Sequence, residues 1–313
     1  MKVDEVFKMW VEDKKLCVKP STAINYEAIY YFHVRAAFGE REVEGICKRD
    51  AQNFLYTKLA DGLSRRYVRD MLNVLRQLVD YAEEELGLDA RAHWKLKWPT
   101  RNVDGEARPD SFTRDEFKRI VAMCHANPSP KTLCILLAIC GGMRIGEVCG
   151  LKVKDIDLER KIVSVNRCVQ FIYCPQAEGG GHCKMMVGSP KTASSRREVP
   201  IVPGVFSLAK KLCKGKDPDL YICSMGEKPT NPRWLRESYQ RFIRNKCGID
   251  RVVRFHGLRH TFATLMIESK VDVKTVSSIL GHRNVSTTLN TYVHPSEQSK
   301  RQSMVSSISK LLK

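Results

Sequence analysis

The first hundred residues place apolar side chains at the spacing of amphipathic helices. Helix-start and helix-stop residues predict three of these helices, at 20–39, 50–61 and 64–85, with Asp50 capping the second. The third carries a core stripe of apolar residues: Val68, Met71, Leu75, Leu78, Val79 and Ala82. The pattern therefore predicts a helical domain over residues 1–98.

The second half of the chain has a different pattern. Residues 99–110 are rich in Pro, Gly and polar side chains without periodicity, which is typical of a linker. Thr113 and Glu116 form a capping-box pattern, so we expect a second domain over 111–313. Strand-like patterns occur at 162–165, 168–174, 197–202 and 220–223. Helices return after Pro203, so the predicted fold class is mainly α with a small antiparallel β-sheet: a helical domain followed by a mixed α+β domain.

The charge balance is the first indication of a partner. The 313 residues carry a formal net charge of +18, and nearly all of the excess lies beyond residue 100. Such an excess attracts polyanions, which favours nucleic acid over an anionic membrane surface. No apolar run approaches the ~20 residues that cross a bilayer, and the N-terminus lacks the apolar core of a signal peptide. We expect a cytoplasmic protein with no membrane partner.

The twelve cysteines do not indicate a disulfide framework. In a long chain without a secretion signal, reduced thiols are expected. One group has the residue types of a zinc site: Cys168, Cys174, His182 and Cys183. Its spacing matches no standard zinc finger, so a Gly-rich hairpin with incidental thiols is the favoured interpretation. We expect neither a metal nor any other cofactor.

Three arginines of the third predicted helix share one face. Arg65, Arg69 and Arg76 lie about a quarter turn from the apolar stripe, at ~100° per residue. Guanidinium groups arranged in this way suit DNA phosphates. A solvated charged face explains the pattern equally well, so these arginines are candidates for DNA binding only.

Two polar segments carry the first candidate chemistry. In Gly141 to Glu147, Arg144 starts a helix, where its planar fork can bind a phosphate. Glu147 follows three residues later on the same face and can hold that guanidinium. In Ser189 to Arg197, Lys191 occupies a polar turn between two strands. Each feature alone is more typical of a surface ion pair or an exposed loop lysine.

Two later segments add histidines and a tyrosine. His256 and Arg259 are three residues apart, so a helix that begins near Gly257 points both the same way. An imidazole beside a permanently charged guanidinium suits phosphate chemistry. The last segment contains His282 and Tyr292. Singly, these two are typical of a capping residue and a packing residue.

Taken together, the segments resemble those of the tyrosine recombinases, the family of phage and conjugative-transposon integrases. The motifs stand as Gly-Gly-Met-Arg-Ile-Gly-Glu, His-Gly-Leu-Arg-His-Thr, Leu-Gly-His and Thr-x-x-Tyr. The matching positions are, in chain order, Arg144, Lys191, His256, Arg259, His282 and Tyr292. The resemblance covers the whole chain. It implies a site-specific DNA recombinase of a mobile element in a prokaryotic host, with a helical domain that grips the core site and a catalytic domain after it.

The resemblance also implies the role of each matched residue. Tyr292 would attack the scissile phosphorus and form a 3′-phosphotyrosine. Arg144 and Arg259 would bind the non-bridging oxygens, and Lys191 would protonate the departing 5′ oxygen. His256 would help with the tyrosine proton, and His282 would donate to the phosphate. Fixed cations would replace a metal ion.

The partners implied by the resemblance are double-stranded DNA core sites, a homo-tetramer on two duplexes and an accessory DNA-bending or directionality factor. An apolar stripe in a predicted C-terminal helix, 296–312, fits docking on a neighbouring protomer. Larger integrases of this type carry an additional arm-binding domain before the region that matches this chain. We therefore expect either a protein that binds core sites only or a trimmed chain.

Rival functions make different demands on the sequence. A metal-dependent nuclease or transposase needs clustered carboxylates around paired cations, and none of the four segments offers them. A non-catalytic DNA-binding architectural protein is disfavoured by the presence of Tyr292 with its five partner residues. A type IB topoisomerase shares the chemistry, and the site residues alone do not exclude it.

Overall fold

A computed structural model describes residues 1–99, 111–174, 182–189, 195–292 and 305, and for 172–174 and 182–183 only the backbone. The chain divides into two compact units. The first comprises Met1–Ala107 with Phe171–Met186, and the second comprises Arg108–Gln170 with Val187–Lys313. The predicted domain boundaries at 98, 99–110 and 111 stay a prediction, because residues 100–110 lie outside the described part.

The first unit is built from helices. Its α-helices are α1 (Val3–Cys17), α2 (Pro20–Ile29), α3 (Arg35–Phe38), α4 (Lys48–Ala60) and α5 (Arg65–Glu84). A π-helical turn, Tyr30–Val34, joins α2 to α3, and a 3₁₀ turn, Val43–Gly45, precedes α4. The predicted apolar stripe of α5 is buried in the core of this unit, where Trp10 and Leu55 also pack. Burial of one continuous apolar face explains why this long helix forms.

The second unit combines helices with short strands. Its helices are α6 (Arg114–Ala126), α7 (Pro130–Gly141), α8 (Ile145–Cys149), α9 (Pro203–Cys213), α10 (Pro232–Asn245), α11 (His256–Glu268), α12 (Val273–Leu280) and α13 (Val285–Tyr292). A 3₁₀ turn, Val153–Asp155, follows α8. The capping box that Thr113 and Glu116 predicted is present at the start of α6. Helix α7 is apolar on all sides and runs through the interior of the unit, as its nearly complete burial shows.

Five strands form two small sheets among the described residues. Strands β1 (Ile156–Asp157), β2 (Ile162–Val165) and β5 (Arg197–Pro200) form one antiparallel sheet in the order β1-β2-β5. Strands β3 (Cys168–Cys174) and β4 (His182–Gly188) form the other. In the register of the first sheet, Val165 pairs with Arg197, which fixes the position of that arginine at the start of β5.

The predicted fold class, mainly α with small antiparallel sheets, is confirmed, but several elements differ from prediction. Residues 220–223 do not form a strand: Tyr221 makes only isolated bridges, to Lys152 and Gly226. Cys47, not Asp50, is the N-cap of α4. Asp50 is its third residue, and its carboxylate accepts the backbone N–H of Cys47. Strand β4 was not predicted, because its residues do not alternate between apolar and polar.

Some predicted features lie outside the described residues, namely Lys191, the Gly-rich tip before β4 and, apart from residue 305, the C-terminal helix at 296–312. Of the proposed zinc ligands, Cys168 alone has a described side chain. The strands on either side of Lys191, β4 and β5, belong to different sheets. In the described part of the chain, no helix combines the length and the apolar character needed to span a bilayer.

Candidate active site

The candidate site begins where α7 ends and α8 starts. Gly142 has a left-handed backbone (φ 65°), which ends α7 and turns the chain. A Cβ on Gly142 would lie 2.7 Å from side-chain atoms of both Leu280 and Phe262, so a larger residue fits neither the space nor the backbone. At Gly146 a Cβ would lie 2.5 Å from the carbonyl oxygen of Val169. Two glycines of the Gly-Gly-Met-Arg-Ile-Gly-Glu motif therefore allow close packing around Arg144.

Arg144 is the N-cap residue of α8 and is held by Glu147. Its Nη1 donates to Glu147 Oε1 at 2.7 Å, and its backbone N–H donates to Oε2 at 2.8 Å. The side chain of Arg144 keeps 35% exposure, whereas that of Glu147 keeps 2%. The ion pair expected from the sequence is present, and it leaves the guanidinium of Arg144 accessible to a ligand.

Arg197, which the sequence analysis did not select, completes this network. Its Nη1 and Nη2 donate to the two carboxylate oxygens of Glu147 at 3.1 and 2.9 Å, and its Nε donates to the carbonyl of Ile279 at 2.6 Å. Its side chain is only 6% exposed. Burial alone raises the pKa of Glu147, but Arg197 and then Arg144 hold it below its usual value. Glu147 is therefore a carboxylate that binds two guanidinium groups.

Arg259 lies almost completely buried, at 1% exposure, between the ends of two helices. Its Nη1 donates to the carbonyl of Gly142 at 2.8 Å, and its Nη2 donates to the carbonyl of Leu280, also at 2.8 Å. The last carbonyls of a helix lack partners within it and carry partial negative charge, so each suits a cation. Burial, and next the charge of Arg144, lower the pKa of Arg259 to about 9, so it remains a cation at neutral pH.

The end of α12 positions His282. Gly281 (φ 66°) ends the helix in the left-handed conformation, and His282 follows directly. Its Nδ1 lies 2.8 Å from Oγ1 of Thr288, a fully buried hydroxyl on α13. Burial, and then the charges of Arg259 and Arg144, lower the pKa of His282 to about 4. His282 is therefore neutral at physiological pH, with one ring nitrogen anchored by the threonine.

Tyr292 is the last residue of α13. Its ring packs at the edge of a small apolar cluster that includes Phe262, Val276 and Leu280. Its hydroxyl oxygen lies 2.7 Å from Nδ1 of His260 on α11. The ring of His260 also meets that of His256 edge to face, with 4.6 Å between centroids. A hydroxyl and two imidazoles are thus brought together on one side of the unit.

The structure brings five of the six predicted catalytic residues into one region of the second unit. Burial lowers the pKa of His282, and the charges of Arg259, Arg144 and His256 lower it further. Tyr292, in contrast, raises the pKa of Arg259, as a neighbouring group that ionises to an anion does. Lys191 lies outside the described residues. In the described part, three guanidinium groups (Arg144, Arg197 and Arg259) accompany one buried carboxylate, so the region attracts an anion such as a phosphodiester.

The three predicted DNA-binding arginines lie on α5 of the first unit and contact its own C-terminal segment. Arg65 donates to the carbonyl of Pro99 at 2.9 Å, and Arg76 donates to that of Trp94 at 3.3 Å. The guanidinium groups of Arg65 and Arg69 lie 5.5 and 5.4 Å from the ring centre of Trp98. These side chains therefore hold residues 94–99 against the helix, a role that the sequence did not suggest.

Sequence reasoning gave no role to two residues of the site, Arg197 and His260. A signal for His260 was available, because it lies one helical turn after His256 and therefore on the same face. Arg197 gave no such signal. Its partners are 50 and 82 residues away along the chain, and an arginine at the start of a strand is most often exposed.

Comparison with known proteins identifies the class. Residues 110–299 match the phage integrase family, and residues 2–59 match the N-terminal SAM-like domain of phage integrases. The chain belongs to the phage integrase family, the tyrosine recombinases, and is a site-specific DNA recombinase.

Individual relatives agree with this assignment. The chain is 29% identical to a tyrosine recombinase XerC-like protein of Caldanaerobacter subterraneus, over 93% of this chain and 78% of that one. It is 30% identical to the tyrosine recombinase XerA of Pyrococcus horikoshii, over 77% of this chain and 73% of the other. The Tn1549 transposon integrase bound to transposon right-end DNA has a similar fold, with a TM-score of 0.74, 20% identity and full coverage of both chains.

Proposed function

We propose that the protein cuts and rejoins DNA at core sites through a covalent bond between Tyr292 and the DNA 3′ phosphate. One observation carries this proposal: the ring of Tyr292 packs on the apolar cluster that contains Leu280, and the carbonyl of Leu280 binds the buried guanidinium of Arg259. A tyrosine nucleophile splits strand exchange into two easier phosphoryl transfers. The energy of the phosphodiester bond is kept in the covalent link to tyrosine, so that the DNA can be rejoined. No nucleotide cofactor is needed for such a reaction.

The two arginines named by the motifs bind the scissile phosphate in this mechanism. Arg144 is accessible and backed by Glu147, so it offers its guanidinium to one non-bridging oxygen. Arg259, fixed by the carbonyls of Gly142 and Leu280, stabilises the charge that grows on the phosphoryl oxygens in the transition state. Because both groups are fixed before DNA binds, little reorganisation is needed during the reaction. These cations take the place of a metal ion.

The remaining residues handle protons and orientation. Neutral His282, whose Nδ1 meets the hydroxyl of Thr288, presents its Nε2–H to a phosphate oxygen. Lys191 protonates the departing 5′ oxygen, and His256 assists with the proton of the tyrosine hydroxyl. Glu147 supports Arg144. The proposed 3′-phosphotyrosine mechanism thus needs residues from several separate segments of the second unit.

The finer partner assignments belong to the same proposal. Double-stranded core-site DNA is bound by both units, and the arginine face of α5 (Arg65, Arg69 and Arg76) lies on its phosphates. The active form is a homo-tetramer on two duplexes, assembled with help from the C-terminal helix at 296–312. A lambda integrase tetramer bound to a Holliday junction, which has a similar fold (TM-score 0.63, 18% identity, covering 93% of this chain and 77% of that one), supports this assembly. We propose an accessory DNA-bending or directionality factor as a further partner.

The decisive experiment measures covalent adducts. Wild-type protein and Tyr292→Phe are incubated with nicked core-site DNA in excess EDTA, and adducts are resolved on a denaturing gel. We expect adducts from the wild type only, because the Phe variant loses one hydroxyl and little packing volume. DNA affinity and the free energy of unfolding should stay close to wild type, and Tyr239→Phe is the matched control for losing a tyrosine hydroxyl elsewhere in the unit. Adducts from Tyr292→Phe, or their loss from the wild type in EDTA, would contradict the mechanism.

A further inference from the structure

The hydroxyl of Tyr292 meets an imidazole that the recombinase motifs leave without a role. Nδ1 of His260 lies 2.7 Å from that oxygen, and the two ring centres are 5.5 Å apart. This is the separation of a direct hydrogen bond, and it involves the atom that must lose a proton before it attacks phosphorus. His256 is exposed, and its ring meets that of His260 edge to face.

The surrounding structure holds this pair in place. His260 is on the second turn of α11, in the same helix that fixes Arg259 between two helix ends. Tyr292 is at the end of α13, and its ring packs on Phe262 of α11 and on residues of α12. The phenol therefore cannot leave the imidazole without giving up apolar contacts. The hydrogen bond follows from the packing of two helices, not from a flexible surface contact.

We propose that His260 is a further catalytic residue, the direct acceptor of the Tyr292 proton. The inference rests on the proposed role of Tyr292 as nucleophile. With its own proton on Nε2, His260 accepts the hydrogen bond from the hydroxyl at Nδ1. As the Oη–P bond forms, the proton passes from Oη to Nδ1. The P–O5′ bond breaks with its electron pair on O5′, which takes a proton from Lys191.

The same groups serve the rejoining step in reverse. The incoming 5′ hydroxyl attacks the phosphotyrosine and gives its proton back to Lys191. The Oη–P bond breaks, and the departing phenolate recovers its proton from His260. His256, in edge-to-face contact with His260, assists this proton transfer through its contact with the His260 ring.

Two substitutions separate proton transfer from simple positioning. In His260→Asn the side-chain amide occupies the place of Nδ1 and can still hold the hydroxyl by a hydrogen bond, but it cannot take a proton. His260→Ala removes both functions. We expect single-turnover adduct formation on nicked core-site DNA to fall about 100-fold in both variants, the usual contribution of a general base. DNA affinity should be unchanged, and His125→Asn, an exposed histidine of α6, is the control.

The acidity of the nucleophile supplies the second measurement. A fluorinated tyrosine at position 292 has a more acidic phenol and depends less on a base, so we expect it to restore at least a tenth of the wild-type rate to His260→Asn. A scissile 5′-phosphorothiolate, which departs without a proton, should not restore it. His260→Gln provides an alternative should the Asn variant be unfolded, as checked by its free energy of unfolding.

Each result decides the proposal. Wild-type adducts are measured first, so that a failure of Tyr292 chemistry is recognised before His260 is tested. If His260→Asn reacts within threefold of wild type, the histidine only positions the hydroxyl, and the proposal is wrong. The proposal also fails if the fluorinated tyrosine gives no recovery, or if the phosphorothiolate restores the rate. The expected pattern is loss in both variants with rescue by the acidic phenol alone.

Discussion

Arginines in the two units share a chemistry but differ in their surroundings. On α5, Arg65 and Arg76 donate to carbonyls of the same unit's own tail, and Arg69 stacks on Trp98. In the second unit, Arg259 and Arg197 are buried and bind carbonyls at the ends of helices, and Arg197 also binds Glu147. The arginines of both units have partners within the chain. Only those of the second unit form a connected network, and that network lies at the candidate active site.

The difference shows what makes a guanidinium part of a reaction site. A surface arginine that lies on its own tail adds little stability, and water and salt screen its charge. A buried arginine fixed by two helix ends keeps its charge and cannot reorient, so it stabilises a charged transition state without reorganisation. Burial and rigid acceptors, more than the residue type, therefore distinguish the two groups.

The largest expected effect comes from Arg259→Lys. Lysine keeps the positive charge but lacks the planar fork that binds the carbonyls of Gly142 and Leu280 together. We expect the rate of adduct formation to fall about 100-fold, the order of a lost oxyanion donor. The free energy of unfolding should fall by about 2 kcal/mol, because a buried carbonyl loses its partner. Arg114→Lys, in an exposed ion pair with Glu268, is the matched control. Equal losses of rate and stability in the two variants would show that burial does not distinguish these arginines.

A smaller effect is expected from Gly142→Ala, which tests the helix end and not the arginine. An alanine at position 142 would have a strained backbone φ. Its Cβ would also lie 2.7 Å from side-chain atoms of both Leu280 and Phe262. We expect a loss of about 3 kcal/mol in the free energy of unfolding, from backbone strain and overpacking together. Adduct formation should fall about tenfold because the carbonyl that holds Arg259 moves.

Gly248→Ala separates these two costs. Gly248 has a similar φ of 61°, but a Cβ there meets nothing within 4 Å. This variant should lose only about 1 kcal/mol and keep full activity. Chemical denaturation and single-turnover assays on both variants make the comparison. A fully active Gly142→Ala would show that the position of this carbonyl does not matter for the reaction.

Some of these features follow from the sequence, and others do not. The stripe of α5 and the cap of α6 were predictable because periodicity and capping are local. The π-helical turn at Tyr30–Val34 was not, because it interrupts a pattern that continues through it. Residues 220–223 have strand-forming side chains, but Tyr221 finds only isolated bridge partners. Whether these residues form a strand depends on pairing with distant parts of the chain.

The site shows the same division. The motifs located Arg144, Arg259, His282 and Tyr292 as candidates, since each has a distinctive local context. They could not show that Arg259 binds two helix ends, because those carbonyls are 117 and 21 residues away along the chain. From the resemblance, His256 would help with the tyrosine proton. The structure adds His260, at hydrogen-bond distance from the hydroxyl. This contact depends on how α11 and α13 pack, which the motifs do not show.

The smallest expected effects concern the arginine face of α5. Stacking on Trp98 uses the flat face of the Arg69 guanidinium and leaves its N–H edge for a phosphate. We expect Arg69→Gln to reduce the slope of log affinity against log salt by about one. Arg76→Gln should change that slope by less than half as much, because its guanidinium binds the Trp94 carbonyl. Filter binding over a range of salt concentrations measures both, and equal slopes for the two variants would contradict the assignment.

The last turn of α12 has a further consequence for control. Its successive carbonyls, Ile279 and Leu280, bind Arg197 and Arg259, and His282 comes two residues later. Fraying of this single turn would remove one acceptor from each arginine at once and carry the histidine away, so three groups of the site lose their positions together. The fraction of molecules with the turn closed then sets the fraction able to react. Whatever binds the closed turn more tightly than the open one raises that fraction by its difference in affinity, without contacting any reacting atom.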